Sequence, residues 1–235
     1  MQTVEKVAII SRQETALIPN VREHTSVVSV KDQNHSINVN SAFNLDAWTH
    51  ALQGHPDPEF TYFILEGIKH GVDIGHCGIA TTHTSDNWPS ALKYRDAVES
   101  TLAKDISRGR KSGPFDHPPP HFIGSPLGAF EKKRSPGKHR VIHDLSWPPG
   151  QSVNEGIYVD CSVRYVTIDH ITDRIKSFGK IGVKISKLDL EDAYKHIFVR
   201  PEDRHLLGCV WDYIDDKGDT RRKYFMDLTL PFGLN

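Results

Sequence analysis

The chain of 235 residues has few cysteines, no long apolar run and no excess charge of either sign. Its three cysteines, Cys77, Cys161 and Cys209, lie far apart without CxxC spacing, which argues against a disulfide framework or a structural zinc site. No apolar run approaches the roughly 18 residues of a membrane span, and the amino terminus lacks the basic region and apolar core of a secretory signal. We therefore expect an intracellular protein, in the cytoplasm or the nucleus, without membrane association.

The near balance of charge limits which partners the whole surface attracts. Lysine and arginine number 29 against 30 aspartate and glutamate residues, a formal net charge of −1 at pH 7. A net field of this size does not favour a polyanion, so any interaction with nucleic acid has to depend on local patches. Hydrophobic residues at 37% and charged residues at 25% are typical of a globular protein with a sizeable core.

The pattern of apolar residues divides the chain into three regions. Residues 1–40 are polar and predict a weakly structured leader. Residues 41–112 predict a helical region with three helices, over 45–52, 58–70 and 89–108. The third of these is predicted as one continuous amphipathic helix, because its apolar residues recur every three or four positions.

The third region, residues 113–235, predicts a fold of class α+β. A proline-rich connector over 112–126 is expected to be extended. The expected elements after it are a hairpin of strands Leu127–Lys133 and His139–Leu145 joined by RSPGK, a helix from a Thr167 cap to Phe178, and an antiparallel sheet of strands 183–190, 206–212 and 223–230.

The octet KLDLEDAY, residues 187–194, combines residue types that bind a nucleotide. Asp189 ends a predicted buried strand, and the chain then turns into a short helix whose first free amides, near Asp192 and Ala193, are available to an anion. A nucleoside triphosphate with Mg²⁺ needs a carboxylate for the cation and backbone donors for the phosphates. The flat ring of Tyr194 would then stand beside the sugar. The alternative is that Asp189 caps a helix and Tyr194 packs in the core.

The predicted hairpin concentrates positive charge in an otherwise neutral chain. Five cations fall within nine residues: Lys132, Lys133, Arg134, Lys138 and Arg140. Such a hairpin can fold over a triphosphate, because arginine pairs with phosphate oxygens in bidentate fashion and lysine acts as a point charge. The alternative is an ordinary solvated basic hairpin.

Three blocks of the sequence, taken in order, carry a resemblance to a known family. They are SPLGAFEKK…GKHRVIHDLSWPPGQSVNEGI, KLDLEDAYKHIFVRPEDRHLLGCVW and LPFGL. Together they resemble a reverse transcriptase, and most closely the retrotransposon enzymes of the DIRS-like class, from about His55 to the last residue. The resemblance implies an RNA-directed DNA polymerase, which is a nucleotidyltransferase, with a right-hand polymerase fold. Its fingers would contain the basic hairpin, and its palm would start at the KLDL strand.

The resemblance also assigns roles to residues of the octet. Asp189 matches the first catalytic aspartate, which binds both Mg²⁺ ions, and Leu190 matches a residue whose backbone also contacts a metal. Asp192 and Ala193 match the turn that binds the triphosphate, and Tyr194 matches the side chain that excludes ribonucleotides. The implied cofactor is therefore Mg²⁺ in a two-metal site.

Outside the octet, the resemblance points to the hairpin and to the LPFGL block. Arg140 matches a fingers arginine on the incoming base and phosphate, and either Lys132 or Lys133 matches the lysine on the γ-phosphate. Phe232 and Gly233 match a loop next to the template and the nucleotide. The implied partners are dNTPs and an RNA or DNA template–primer.

Two-metal phosphoryl transfer needs further carboxylates besides Asp189. In the family these come from a tyrosine–x–Asp–Asp hairpin after the LPFGL block, and the sequence ends before one. A string of that form, Tyr213-Ile-Asp-Asp216, precedes LPFGL, and we interpret it as an ordinary turn because DDKGD is rich in turn residues. We therefore expect a fragment, covering the fingers and the first part of the palm, that binds substrates but is inactive alone.

Two other functions remain open from the sequence. One is a non-catalytic remnant of a transposon polymerase that binds nucleic acid or protein. The other, ranked lower, is a hydrolase or nuclease that uses Asp189 with Asp215 and Asp216. Residue types alone do not choose among a fragment, a pseudogene product and a functional short protein.

Overall fold

Two short helices open the part of the chain that the structure describes. The computed structural model describes residues 43–78, 81–133, 135–158, 166–178 and 190–234. Helix α1, Leu45–Ala51, begins where the Asn44 side chain accepts a hydrogen bond from the Ala47 amide, and α2, Pro58–His70, begins where Asp57 accepts one from Phe60. Both helix predictions are confirmed.

The predicted helix over 89–108 is interrupted, so the prediction of one continuous helix is wrong. Helix α3 is Pro89–Lys93 and α4 is Arg95–Ser107, with a break at Tyr94, whose backbone angles are φ −114° and ψ 48°. The Tyr94 ring lies against the ring of His139, with the centroids 4.2 Å apart. This contact with a distant strand leaves no trace in the helical periodicity, which therefore predicts an unbroken helix.

The main sheet has five strands in the order β1-β3-β6-β7-β2. These strands, numbered along the chain, are β1 His83–Thr84, β2 Lys111–Phe115, β3 Ile123–Gly124, β6 Gly208–Ile214 and β7 Thr220–Asp227. The β6–β7 and β2–β7 pairs are antiparallel, whereas β1–β3 and β3–β6 are parallel. The predicted antiparallel pairing of the last two strands is confirmed, but the sheet as a whole is mixed.

The parallel pairs escape sequence reasoning because β1 and β3 have only two residues each. Their pairing depends on close approach: a side chain at Gly208 would come within 2.2 Å of the Phe122 ring, so only glycine lets β6 lie beside β3 here. The predicted strand 183–190 lies outside the described residues except for Leu190, which is exposed and not in a strand.

The predicted hairpin is confirmed as a separate two-stranded antiparallel sheet. Strand β4, Leu127–Lys132, pairs with β5, Ser135–His143. The prediction that RSPGK is a simple loop is wrong, because Ser135–Lys138 belongs to β5. The register shifts from Glu131 opposite His139 to Lys132 opposite Ser135, and the Glu131 carboxylate accepts a hydrogen bond from the Gly137 amide at 2.7 Å. This bulge absorbs the residues that the sequence assigns to a loop.

Two clusters of buried side chains form the core. The first joins α3, α4, the hairpin and the main sheet: Ala91, Val98, Leu102, Leu127, Ala129, Cys209, Trp211 and Phe225. The second joins β3 to side chains outside the two sheets: Ile74, Ile123, Leu145, Val153, Val199, Leu206 and Leu207. Cys209 and Trp211 are fully buried, and Cys161 lies outside the described residues.

The remaining helices are short. Helix α5 is Val153–Gly156, and α6, Ile168–Ser177, begins at the predicted Thr167 cap. The short helix predicted to begin within the octet is a 3₁₀ helix, Ala193–His196, and a second 3₁₀ helix, Pro201–Leu206, was not predicted. The structure is thus mixed α/β, with one mixed sheet and one small antiparallel sheet.

Candidate functional site

Three of the side chains that the resemblance assigns to a nucleotide site lie together on the surface. The rings of Tyr194 and Phe232 meet edge to face, with centroids 5.8 Å apart. The Arg140 guanidinium lies over the Phe232 ring, 5.8 Å from its centroid. Tyr194 is 52% exposed and Phe232 is 62% exposed. The alternative in which Tyr194 packs in the core is therefore wrong, and one cation and two aromatic rings face solvent as a group.

These three side chains come from three different elements. Arg140 is on β5, Tyr194 is on the first 3₁₀ helix, and Phe232 is in the loop after β7. The segments of Tyr194 and Phe232 are joined by backbone hydrogen bonds, including Leu230 N–H to Ile197 O at 2.9 Å. The main chain therefore fixes the segment of Tyr194 beside that of Phe232.

Asp192 begins the 3₁₀ helix in the left-handed conformation, with φ 54° and ψ 41°. Its carboxylate accepts a hydrogen bond from Arg110 at 2.7 Å and lies 3.6 Å from Arg108. The hydrogen bond from Arg110 lowers the pKa of Asp192, although partial burial opposes this. Asp192, not Asp189, is the residue before the helix, and its side chain makes no cap hydrogen bond.

The predicted metal ligands are only partly described. Asp189 lies outside the described residues, and Leu190 is exposed. Within the ranges that the structure describes, no group of three or more histidine, cysteine, aspartate or glutamate side chains is placed to hold a metal ion.

The two candidate lysines lie at the end of the hairpin. Lys132 is the last residue of β4, Lys133 is in the following turn, and both are exposed. Alternation along β4 puts Lys132 on the same face as Phe130, which is directly opposite Arg140 in the register. Arg134 lies outside the described residues.

The loop that carries Phe232 is held by the carbonyl of Gly233. This oxygen accepts a hydrogen bond from Asn154 Nδ2 at 2.9 Å, and the same amide nitrogen donates to Ser146 Oγ at 2.8 Å. Gly233 has φ 120°, a conformation that side chains rarely adopt, so glycine is required there. Sequence reasoning placed Gly233 near the site but missed Asn154, whose pattern gives no signal.

Two exposed tryptophans lie beside this loop. Trp147 follows Ser146, and its ring meets that of Trp88 with centroids 5.2 Å apart. The Trp88 indole donates a hydrogen bond to Asp144 at 3.2 Å. Trp147 is 41% exposed. The two rings form a solvent-facing aromatic surface, and Ser146, which precedes Trp147, is linked to the Phe232 loop through Asn154 and Gly233.

A buried charge network lies beneath the hairpin. Asp227 contacts Lys111 Nζ at 2.8 Å and His143 Nδ1 at 2.9 Å, and His143 Nε2 is 2.9 Å from the carbonyl of Gly208. The sequence contains no signal for these partners of His143, which are 65 and 84 residues away along the chain.

The pKa values in this network follow from burial and pairing. Burial alone would raise the pKa of Asp227, but Lys111 and His143 lower it to about 2. The pKa of Lys111 is raised, because Asp227 outweighs the effect of burial. Burial raises the pKa of the Cys209 thiol to about 11, so this cysteine is protonated at neutral pH.

The Tyr213–Asp216 string lies at the turn between β6 and β7. The Asp215 carboxylate accepts hydrogen bonds from the amides of Lys217 and Asp219, both at 3.0 Å, and pairs with Arg221 at 3.0 Å. The pKa of Asp215 is lowered, chiefly by Arg221. The predicted turn is confirmed, and its first aspartate is engaged in holding it.

Comparison with known proteins adds no family. No protein-family model matches the chain, and no curated protein matches it. Among the described residues, none of the helices has both the length and the apolar character to cross a membrane.

Proposed function

We propose that this chain is the fingers and first palm segment of an RNA-directed DNA polymerase of the retrotransposon type, with a right-hand polymerase fold. In this proposal it binds dNTPs with Mg²⁺ and an RNA or DNA template–primer inside the cell. The observation that supports it best is the meeting of Arg140, Tyr194 and Phe232. Each of these residues comes from a different one of the three sequence blocks, and the resemblance gives all three to the nucleotide site.

The chemistry of the group suits a nucleotide. A guanidinium held over an aromatic ring presents its N–H donors to phosphate oxygens and its flat face to a base. The Tyr194 ring, held at 80° to Phe232, offers a rigid edge against a sugar. A hydroxyl on C2′ would need to displace this ring, so deoxyribose is favoured by contact alone.

The hairpin extends the positive charge toward a triphosphate. Lys132 is the better candidate for the γ-phosphate, because alternation puts it on the Arg140 face while Lys133 lies in the turn. Asp192 and Ala193 begin the adjacent 3₁₀ helix, where the resemblance puts the triphosphate turn. In this proposal Mg²⁺ would be bound by the Asp189 carboxylate and the backbone of Leu190, as the resemblance implies.

The aromatic surface of Trp88 and Trp147 supports the template part of the proposal. Exposed tryptophan rings stack unpaired bases without regard to sequence. Their position next to the Phe232 loop would bring a template strand close to the nucleotide.

Nucleotide binding by residues 1–235 tests the proposal. Titration of Mg²⁺–dCTP, followed by calorimetry, is expected to give saturable binding that Arg140→Gln weakens by roughly tenfold or more. Arg174→Gln is the matched control, because Arg174 also lies over an aromatic ring, that of Phe178, at 5.4 Å. Equal affinities for all three proteins, or no binding by the wild type, would contradict the proposal.

A non-catalytic remnant that binds nucleic acid is the second candidate, favoured by the exposed Trp88–Trp147 pair. It predicts binding of single-stranded nucleic acid without binding of dNTPs. The nuclease alternative is not favoured, because the Asp215 carboxylate is already occupied by two amides and Arg221.

A further inference from the structure

Two ion pairs of opposite polarity join the 3₁₀ helix and the residue before it to residues 105–111, which run from the end of α4 to the first residue of β2 and are here called the α4–β2 segment. Asp192, before the 3₁₀ helix, pairs with Arg110 at 2.7 Å. Lys195, within the 3₁₀ helix, pairs with Asp105 at 2.5 Å. In each pair, the residue from the α4–β2 segment is more buried than its partner. The Arg110 side chain is 11% exposed and that of Asp105 is 5% exposed. Tyr194 lies between the two paired residues.

The same segment also holds the strand that leads to Phe232. The Arg110 carbonyl accepts a hydrogen bond from the Leu228 amide at 2.8 Å, and Lys111 pairs with Asp227. The Arg110 amide donates a hydrogen bond to the carbonyl of Asp105 at 2.9 Å. The two residues that pair with Asp192 and Lys195 are therefore also bonded to each other. The α4–β2 segment therefore contacts both chain segments that carry the Tyr194–Phe232 ring pair.

Asp192 adopts a backbone conformation that few residue types favour. Its φ is positive, and aspartate and asparagine enter this left-handed region more readily than other non-glycine residues. Here the carboxylate of Asp192 is held by Arg110, and the next turn is held by Lys195 and Asp105. Arg108 gives little support, because it is 3.6 Å from Asp192 and its side chain is half exposed.

We propose that Asp105 and Arg110 are positioning residues, which hold the 3₁₀ helix so that the Tyr194 ring stands against Phe232 and selects the sugar of the bound nucleotide. This inference rests on the proposed nucleotide site. Asp105 and Arg110 act through Tyr194 and do not themselves contact the nucleotide. Their loss frees the ring to move aside, so a ribose is then accepted more readily.

The test combines a measurement without nucleotide and one with it. Amide hydrogen exchange reports on the 3₁₀ helix through Lys195 and Ile197, whose N–H groups bond to Asp192 and Tyr194 carbonyls. Calorimetry gives the ratio of dissociation constants for Mg²⁺–CTP and Mg²⁺–dCTP. Arg110→Gln is the main variant and Arg108→Gln its matched control. Asp192→Asn removes the same ion pair from the other side and keeps a residue that tolerates the left-handed conformation.

In Arg110→Gln and Asp192→Asn, exchange of the two amides is expected to rise roughly tenfold, and the CTP to dCTP ratio to fall roughly three- to tenfold. Arg110→Lys should recover part of both, and Arg108→Gln should change neither. Unchanged exchange, or equal weakening of both nucleotides at a constant ratio, would overturn the inference. If the wild type binds neither nucleotide, the proposed function fails and the sugar selection with it. Wild-type binding with an unaltered ratio in the variants contradicts this inference alone.

Discussion

The ring of Tyr194 meets the ring of Phe232 at 80°, with 5.8 Å between the centroids. Edge-to-face geometry is favourable for aromatic pairs, so each ring limits the movement of the other. The guanidinium of Arg140, which is on β5, lies over the Phe232 ring. A ligand that enters this surface therefore meets three side chains whose positions depend on one another.

Removing the Tyr194 ring is expected to relax the preference for deoxyribose. Tyr194→Ala should bring the affinities of residues 1–235 for Mg²⁺–CTP and Mg²⁺–dCTP closer together by roughly tenfold, which corresponds to about 1.4 kcal/mol of lost steric exclusion. Tyr194→Phe keeps the ring and should keep the preference. Parallel loss of both affinities in Tyr194→Ala would instead identify Tyr194 as a packing residue.

Residues 1–235 are expected not to extend a primer with Mg²⁺ and dNTPs. The carboxylate pair that shares the two metals in the proposed family is not among these residues, and metal-assisted stabilisation supplies most of the acceleration in such reactions. The measurement is a primer-extension gel with a labelled primer. Extension by the wild type that disappears in Asp215→Asn would show that Asp215 is catalytic and that its role extends beyond the β6–β7 turn.

Trp147 is expected to contribute to binding of single-stranded nucleic acid. Trp147→Ala should weaken binding of a labelled oligonucleotide by about 1–3 kcal/mol, the usual range for one stacked base. Tyr62→Ala is the control, because Tyr62 is an exposed aromatic residue on α2, away from the site in the sequence. Fluorescence anisotropy gives both affinities, and equal losses in the two variants would count against a stacking site at Trp147.

The buried Asp227 is expected to make the fold sensitive to acid. Its pKa is about 2, below the ordinary value of 3.8, so its contribution to stability is complete above about pH 4 and is lost as the pH falls toward 2. A shift of this size corresponds to about 2 kcal/mol. At neutral pH, Asp227→Asn should lower the free energy of unfolding by about 3–5 kcal/mol, because Lys111 and His143 lose a buried partner.

Urea denaturation between pH 7 and pH 2 measures this effect. The difference in stability between the wild type and Asp227→Asn should shrink as the pH falls from 4 to 2. Asp216→Asn, in the exposed β6–β7 turn, should follow the wild type throughout. A constant difference between the wild type and Asp227→Asn would mean that the network does not depend on the charge of Asp227.

Local features of the fold were determined by the sequence because they depend on neighbouring residues. Asn44 and Thr167 cap the helices that follow them, and the DDKGD segment forms the turn between β6 and β7. The hairpin at 127–143 follows from alternation and turn residues, although its bulge does not. The resemblance nominated Arg140, Tyr194 and Phe232, but it gave no distances between them.

Tertiary structure alone decided how distant segments meet. The break at Tyr94, the parallel pairs of β1 and β3, the Asp227 network and the pairing of Asp192 with Arg110 all join residues that are far apart in the chain. Arg110 and Asp192 are 82 residues apart. Helix caps and turns are set by hydrogen bonds within a few residues, so the sequence expresses them directly. Ion pairs between elements form only after packing has brought distant segments of the chain together. The local sequence pattern does not show which of several charged residues will become the partner.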